Sequence, residues 1–519
     1  MPMQPRARRD SLLSALLHVA TGAAAALGQA PWGLWLVTLL ALALLCWRIA
    51  RSRTPLSSRL SGSASGYFAA SMFWIVEPFL VEPEIYGWMA PFALVLFAAG
   101  GGLFWAVPGW LAGRISTGWQ DRATGFAAAL VLSDWIRGWI FTGLPWALTG
   151  HIWIDTPAAQ LAALTGSIGL SALTMLAAAL PILLWRGPAT DMRGALRGSV
   201  MAALVIALAH GWGLNRIIAP LPADRDFTLR LVQPNAEQAL KWDPYWSQVF
   251  FDRLIRLSTG PTADDRAPDA VIWPETAVNF LLERAETAPQ EITRIAGAPV
   301  LLGIQRSEGS RYFNSFAEFT ADGRIGRTYD KFHLVPFGEY TPWGDQLARF
   351  GISSFAAQHG AGYSSGTGAQ VLRGLADQLP PVQVLICYEA IFSRHLITGP
   401  DRPEWILQIT NDAWFGTLAG PWQHLAQARL RARASGLPVI RVANTGVTAV
   451  IDARGAVRQS LGLNVEGRID ARLPGALPPT IWSRTRDWPV VIATLLALIV
   501  IATRRRKSVS SVDETRPVA

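Results

Sequence analysis

Glu275, Lys331 and Cys387 each fall at the end of a strand-like run or in the loop that follows one. Glu275 closes "AVIWPE", Lys331 lies in "YDKFHLVPFGEY", and Cys387 closes "VQVLIC". A carboxylate, an ammonium and a thiol form a working set for acyl transfer. The carboxylate takes the thiol proton, the thiolate attacks a carbonyl, and the ammonium stabilises the oxyanion. Strand ends are where layered α/β folds present reactive groups. Each residue also has a plainer use. A free cysteine is commonly an inert core residue, and a strand-end Glu or a loop Lys is commonly solvated or paired. A helix starting directly after Cys387 would lower its pKa below the free value of about 8.5.

The elements that must position these residues begin at Asp226. Short runs rich in Val, Ile and Leu recur: "TLRLVQ", "AVIWPE", "PVLLGIQ", "VQVLICY", "WILQIT" and "PVIRVAN". These are buried-strand lengths. Between the first two lies "DPYWSQVFFDRLIRLS", where Asp243 is a cap, Pro244 suits the first helical position, and apolar residues recur at helical spacing. "ADGRIGR" and "DARGAVR" supply hairpin turns. Strands alternating with helices predict an α/β layered domain over residues 220–485.

The rest of the chain has a different character. Of 519 residues 51% are hydrophobic and 16% charged, too apolar for an ordinary soluble protein. Eight apolar stretches have roughly the 20 residues that a membrane-crossing helix needs. They lie near 11–28, 31–50, 64–82, 90–112, 123–141, 160–185, 197–215 and 487–503. This predicts seven spans within 1–219, an eighth within 486–507, and a polar, disordered tail over 508–519. The first span reads as an uncleaved signal anchor, because a second follows directly. Arginines mark alternate loops: Arg6, Arg8 and Arg9, then Arg48, Arg51, Arg53 and Arg59, then Arg114 and Arg122, then Arg186, Arg193 and Arg197, then "RRRK" at 504–507. The loops "GQAP" and "VEPFLVEPEIYG" have no Lys or Arg. The positive-inside rule then puts both termini in the cytoplasm and the α/β domain on the outer face.

The net charge of +9 sits beside apolar spans, and no basic motif with base-reading aromatics accompanies it, which argues against nucleic acid. Two cysteines, Cys46 and Cys387, make neither a disulfide framework nor a thiolate metal site, and the seven histidines lack ligand spacing. No metal or cofactor is expected. Cys46 lies near the cytoplasmic end of its span, so Cys387 has no partner in its own chain on the oxidising side.

"WPE", "KFHLVPFGE" and "CYE" in this order resemble the nitrilase superfamily of carbon–nitrogen hydrolases. With eight spans around the domain, and with "LKWDP", "TGLPW" and "TNDAWFGTLAGPWQH" also present, nearly the whole chain resembles the apolipoprotein N-acyltransferase family of bacterial envelopes. The resemblance implies a four-layer α-β-β-α sandwich joined to the membrane helices. It implies Glu275 as general base, Lys331 as stabiliser of the tetrahedral intermediate and Cys387 as the nucleophile carrying the acyl group as a thioester. Glu339 would be a supporting carboxylate, and Tyr388 and Glu389 the pair flanking the nucleophile, forming part of the site wall. Trp242 would belong to a mobile lid, joined by Trp414 in excluding water. Phe337 and Phe415 would line the acyl-chain entrance, with Gly143 and Trp146 in a membrane loop near it. "TGLPW" has Leu144 where the pattern has an aromatic. The implied partners are a phosphatidylethanolamine-like donor and a diacylglyceryl-cysteine apolipoprotein acceptor. The implied location is the bacterial inner membrane with the catalytic domain in the periplasm, and a monomer is the default.

Two other readings remain open on these residues. A membrane-tethered amidase or nitrilase would carry the same triad, although one anchor would suffice for it. A polytopic transporter or scaffold would be expected to hold ionisable residues inside its spans. Here Asp134 and Arg137 fall near a predicted outer end.

Overall fold

The computed structural model describes residues 5–51, 57–185, 192–342, 362–376 and 378–513. The chain divides into two compact units. One comprises residues 1–76, 86–219 and 485–519. The other comprises residues 77–85 and 220–484. Arg53 and Arg186 lie outside the described residues, as do positions 514–519 of the expected tail.

The first unit is helical. Four of its helical stretches are long and apolar enough to cross a membrane: Pro83–Ile115, Pro157–Leu183, Met192–Ile218 and Trp488–Arg506. The first of these starts in residues that group with the second unit. Pro5–Ala26, Trp35–Arg51, Ser57–Ser71 and Trp119–Ile136 are further helices. Helix Pro5–Ala26 packs on Ser57–Ser71 through glycine. A Cβ on Gly22 would fall on the Ser63 carbonyl and one on Gly66 on the Val19 carbonyl, so these backbones touch only because both side chains are absent.

Two sequence expectations need correction here. The span expected at 64–82 is a helix over Ser57–Ser71, followed by a 3-10 run Phe73–Leu80. "FWIVEPFLV" is apolar enough to resemble a span, but Pro78 within it removes a backbone donor and Glu77 adds charge. The polar tail is not irregular from 508 onward, because the last helix continues to Asp513.

The second unit holds twelve strands among the described residues, in two six-stranded sheets. The strands are β1 (Thr228–Gln233), β2 (Ala270–Ile272), β3 (Val300–Glu308), β4 (Arg311–Phe319), β5 (Ile325–Asp330), β6 (Val371–Leu372), β7 (Val382–Ile386), β8 (Trp405–Thr410), β9 (Val439–Ala443), β10 (Thr448–Ile451), β11 (Val457–Leu461) and β12 (Gly467–Arg472). The sheet orders are β12-β1-β2-β3-β4-β5 and β11-β10-β9-β8-β7-β6. The central pairs β1–β2, β2–β3, β7–β8 and β8–β9 are parallel, and the remaining pairs towards the edges are antiparallel. The sheets meet through β1 on β9 and β4 on β7.

Helices cover the outer faces. Pro244–Ser258 and Ala288–Ala296 close one sheet over a core that includes Val232, Leu254, Trp273, Ile292 and Leu302. Each such side chain contributes about 1.5–3 kcal/mol on full burial. Gly420–Ser435 covers the other sheet. The helix start at Asp243 is the one its sequence predicts: its Oδ1 accepts from the N–H of Tyr245 at 2.9 Å and of Trp246 at 3.1 Å.

Candidate active site

The strand ends bring the reactive groups to one cavity. Cys387 directly follows β7, Lys331 directly follows β5, and Glu275 lies just beyond β2, where Pro274 ends the ladder. All three line a cavity of about 290 Å³, together with Glu339, Trp242, Trp414 and Phe415. Pro78, Val81 and Glu82, from the short segment that groups with this unit, line it too.

Cys387 turns the chain sharply. Its φ of +50° is unfavourable for a residue with a side chain, and a five-residue 3-10 turn, Cys387–Ile391, follows. Glu389 holds this elbow in place. Its Oε2 accepts from Ile386 N–H at 2.8 Å, and its Oε1 accepts from Phe332 N–H at 2.9 Å and His333 N–H at 3.2 Å. The Tyr329 hydroxyl lies 3.0 Å from both oxygens. One carboxylate thereby ties the turn at Cys387 to the loop that carries Lys331. Burial raises its pKa to about 7 despite these donors.

The expectation that Tyr388 and Glu389 form the site wall is corrected: neither lines the cavity. Glu389 is fully buried as a bracket, and Tyr388 packs against His333 and Phe392 at ring separations of 5.7 and 5.2 Å.

The carboxylates and the ammonium form one buried group. Lys331 Nζ donates to Glu339 Oε1 at 2.9 Å and lies 3.4 Å from Glu275 Oε1. Asn314, on β4, bridges the two acids. Its Nδ2 donates to Glu275 at 2.7 Å and to Glu339 at 2.9 Å. The second oxygen of Glu275 accepts from Asn411 N–H at 2.7 Å, and that of Glu339 from Val335 N–H at 2.9 Å. Burial works against the Lys331 charge, but Glu339 and then Glu275 hold its pKa above the ordinary lysine value.

The thiol behaves contrary to the sequence expectation of a lowered pKa. Burial pushes it up, the Glu275 charge pushes it further, and Lys331 only partly offsets them. The turn after Cys387 is too short and too tight to act as a helix N-terminus. A thiol this reluctant to ionise needs a base beside it.

A second polar group lies behind Cys387. His424 pairs with Asp412 at 2.9 Å, Arg441 also binds Asp412, and His424 Nε2 lies 3.2 Å from the Cys387 carbonyl oxygen. All three side chains are buried.

The remaining predicted residues divide clearly. Trp242 and Trp414 are half-buried in the cavity lining, and Phe415 is buried there. Phe337 is exposed, with φ +64°, and is outside the lining. Gly143 and Trp146 belong to the first unit. Trp146 is buried against Trp74 at a ring separation of 4.7 Å, and its carbonyl accepts from Arg137 at 3.0 Å. Gly143 adopts φ +97°, which only glycine enters readily. Sequence reasoning missed Asn314, Asn411, Tyr363 and Lys241, all of which line the cavity. Lys241 and Asn411 had a signal, as neighbours of Trp242 in "LKWDP" and of Trp414 in "TNDAWFGTLAGPWQH".

Two family models match the chain. Residues 21–180 match the apolipoprotein N-acyltransferase N-terminal domain, and residues 238–477 match the carbon-nitrogen hydrolase family. Among curated relatives, the apolipoprotein N-acyltransferase of Allorhizobium ampelinum is 36% identical over 96% of this chain and 98% of its own. The one from Bradyrhizobium diazoefficiens is 36% identical over 95% of both chains. That of Brucella melitensis is 34% identical over 95% of this chain and 96% of its own. With a helical, apolar first unit and a two-sheet second unit that gathers a thiol, a lysine and two acids, the chain belongs to the apolipoprotein N-acyltransferase family.

Proposed function

We propose that this protein transfers an acyl chain from a phospholipid to the N-terminal α-amine of a diacylglyceryl-cysteine apolipoprotein, through a thioester on Cys387. Glu275 takes the Cys387 proton as Sγ attacks the donor ester carbonyl. Lys331 stabilises the oxyanion. The C–O bond breaks, and the lyso-phospholipid alkoxide leaves with the proton from Glu275. The acceptor amine, in its neutral form, then attacks the thioester carbonyl. Glu275 takes the amine proton, the C–S bond breaks, and the thiol is restored. An α-amine with a pKa near 7.7–8.0 supplies enough neutral form at ordinary pH. Glu339 and Asn314 hold Lys331 and Glu275 in register. Trp242 and Trp414 exclude water, so that the thioester meets an amine rather than hydrolysis.

The observation that carries this reading is the gathering of Cys387, Glu275 and Lys331 on one cavity, in a chain whose relatives over nearly its full length are named apolipoprotein N-acyltransferases. The arginine distribution supports eight spans, cytoplasmic termini and a periplasmic catalytic domain in a bacterial inner membrane. Two bilayer-bound substrates would meet there at high effective concentration.

The test supplies purified protein in micelles with phospholipid and a diacylglyceryl-cysteine lipopeptide. The lipopeptide is expected to gain one acyl chain in amide linkage while lyso-phospholipid accumulates. Release of free fatty acid with an unmodified lipopeptide would instead indicate a hydrolase.

A further inference from the structure

The cavity holds a cation that the acyl-transfer steps do not use. Lys241 lies in the turn before helix Pro244–Ser258, is 7% exposed, and lines the cavity with Cys387 and Glu275. Among the described residues its ammonium has no hydrogen bond and no ion pair. The neighbouring acids are already occupied. Glu275 accepts from Asn314, Lys331 and Asn411, and Glu339 from Asn314, Lys331 and Val335. Glu275 acts on Lys241 only through space, and Glu82, also in the lining, is exposed. The helix start beside it offers no competing anion site, because Asp243 caps it.

A buried ammonium without a counter-charge is costly. Burial accordingly pulls the Lys241 pKa down to about 8. An anion arriving in the cavity would relieve that cost. Of the two proposed substrates, the donor brings one. Its phosphodiester is carried on the same glycerol as the ester that Cys387 opens, whereas the reacting end of the acceptor is an amine. Lysine is a point charge suited to phosphate oxygens.

We propose that Lys241 binds the phosphodiester of the acyl donor, so that the site selects phospholipids over neutral glycerides carrying the same chains. The inference rests on the acyl-transfer reading above. It predicts that the group beyond the phosphate matters less than the phosphate itself.

Single-turnover acylation of Cys387 in the full-length protein, read by intact mass, tests this with three donors: a phosphatidylethanolamine, the diacylglycerol with identical chains, and a p-nitrophenyl acyl ester. Wild type is expected to prefer the phospholipid to the diacylglycerol by about 10- to 100-fold, as a hydrogen bond between charged groups allows. Lys241→Met is expected to bring that ratio close to one, and Lys241→Arg to restore most of it. Acylation by the nitrophenyl ester reports that the variant thiol remains competent. Equal loss with all three donors in Lys241→Met, or a wild type indifferent to the phosphate, would overturn the proposal. A wild type that forms no adduct with any donor would overturn the acyl-transfer reading itself.

Discussion

The Asp134–Arg137 pair of the first unit and the Glu275–Lys331–Glu339 group of the second are both almost fully buried, yet they are built to opposite ends. In the first, one acid meets one base at 2.9 Å. The other Asp134 oxygen accepts from Thr149 N–H, Thr149 Oγ1 and Ser171 Oγ at 2.7–2.9 Å. Arg137 donates onward to the carbonyls of Trp146 and Ala147 at 3.0 and 3.2 Å. The charges cancel and close on themselves, which fixes the Trp146 loop. In the second, two acids share one ammonium, the Glu275 contact is the looser at 3.4 Å, and the group borders a cavity that also holds a thiol. An acid in excess of its cation can accept a proton. The balanced cluster is suited to holding structure, and the unbalanced one to chemistry.

This contrast breaks down if the two clusters respond alike to mutation. Glu275→Gln should lower the acylation rate by about 10²- to 10⁴-fold, the usual worth of a positioned base. The unfolding temperature should fall by no more than one mispaired donor costs, about 1–3 kcal/mol, because an amide oxygen that accepts from Asn411 leaves the amide NH2 facing Asn314 and Lys331. Acylation kinetics and a thermal melt in detergent check both halves.

Asp134→Asn should do the reverse. It leaves a buried guanidinium without a counter-charge, at a cost of about 3–5 kcal/mol. The melt should fall, while acylation per folded molecule persists at low temperature. A large rate loss with an unchanged melt would undo the distinction.

Glu389 sharpens the comparison, because it is a buried acid with neither a cation partner nor a place in the cavity. Its folded pKa of about 7 lies above the reference 4.5, so the native state binds the extra proton. Its contribution to stability therefore falls as pH rises through that window, and the penalty is fully present above pH 7. Glu389→Gln should remove this pH dependence. It should also cost about 1–3 kcal/mol, because one backbone N–H would face an amide N–H. Melts between pH 4.5 and 8 measure both effects.

Much of the second unit was legible in the sequence, because buried parallel strands are written as short apolar runs. "TLRLVQ" and "WILQIT" are β1 and β8 to the residue. The sequence marks Glu275, Lys331 and Cys387 because each stands where such a run stops, and the fold brings all three to one cavity. What the sequence concealed depends on packing across strands. Asn314 stands between Phe313 and Ser315 as an ordinary polar strand residue, and only the fold places its amide between two acids. The wall position expected for Glu389 failed because adjacency to a nucleophile says nothing about which way a 3-10 turn points. The lowered thiol pKa failed because burial outweighs a turn of five residues. The span misplaced at 64–82 shows that hydropathy alone outvotes a proline inside the run unless backbone donors are counted as well.

The central claim is that Cys387 carries the acyl chain. Incubating the purified protein with phospholipid, without acceptor, and measuring its intact mass tests this directly. Wild type should gain one acyl chain that neutral hydroxylamine removes, Cys387→Ala should gain none, and added lipopeptide should discharge the adduct. A folded, lipid-supplied wild type that remains unmodified, or an adduct that persists in Cys387→Ala, would contradict the account.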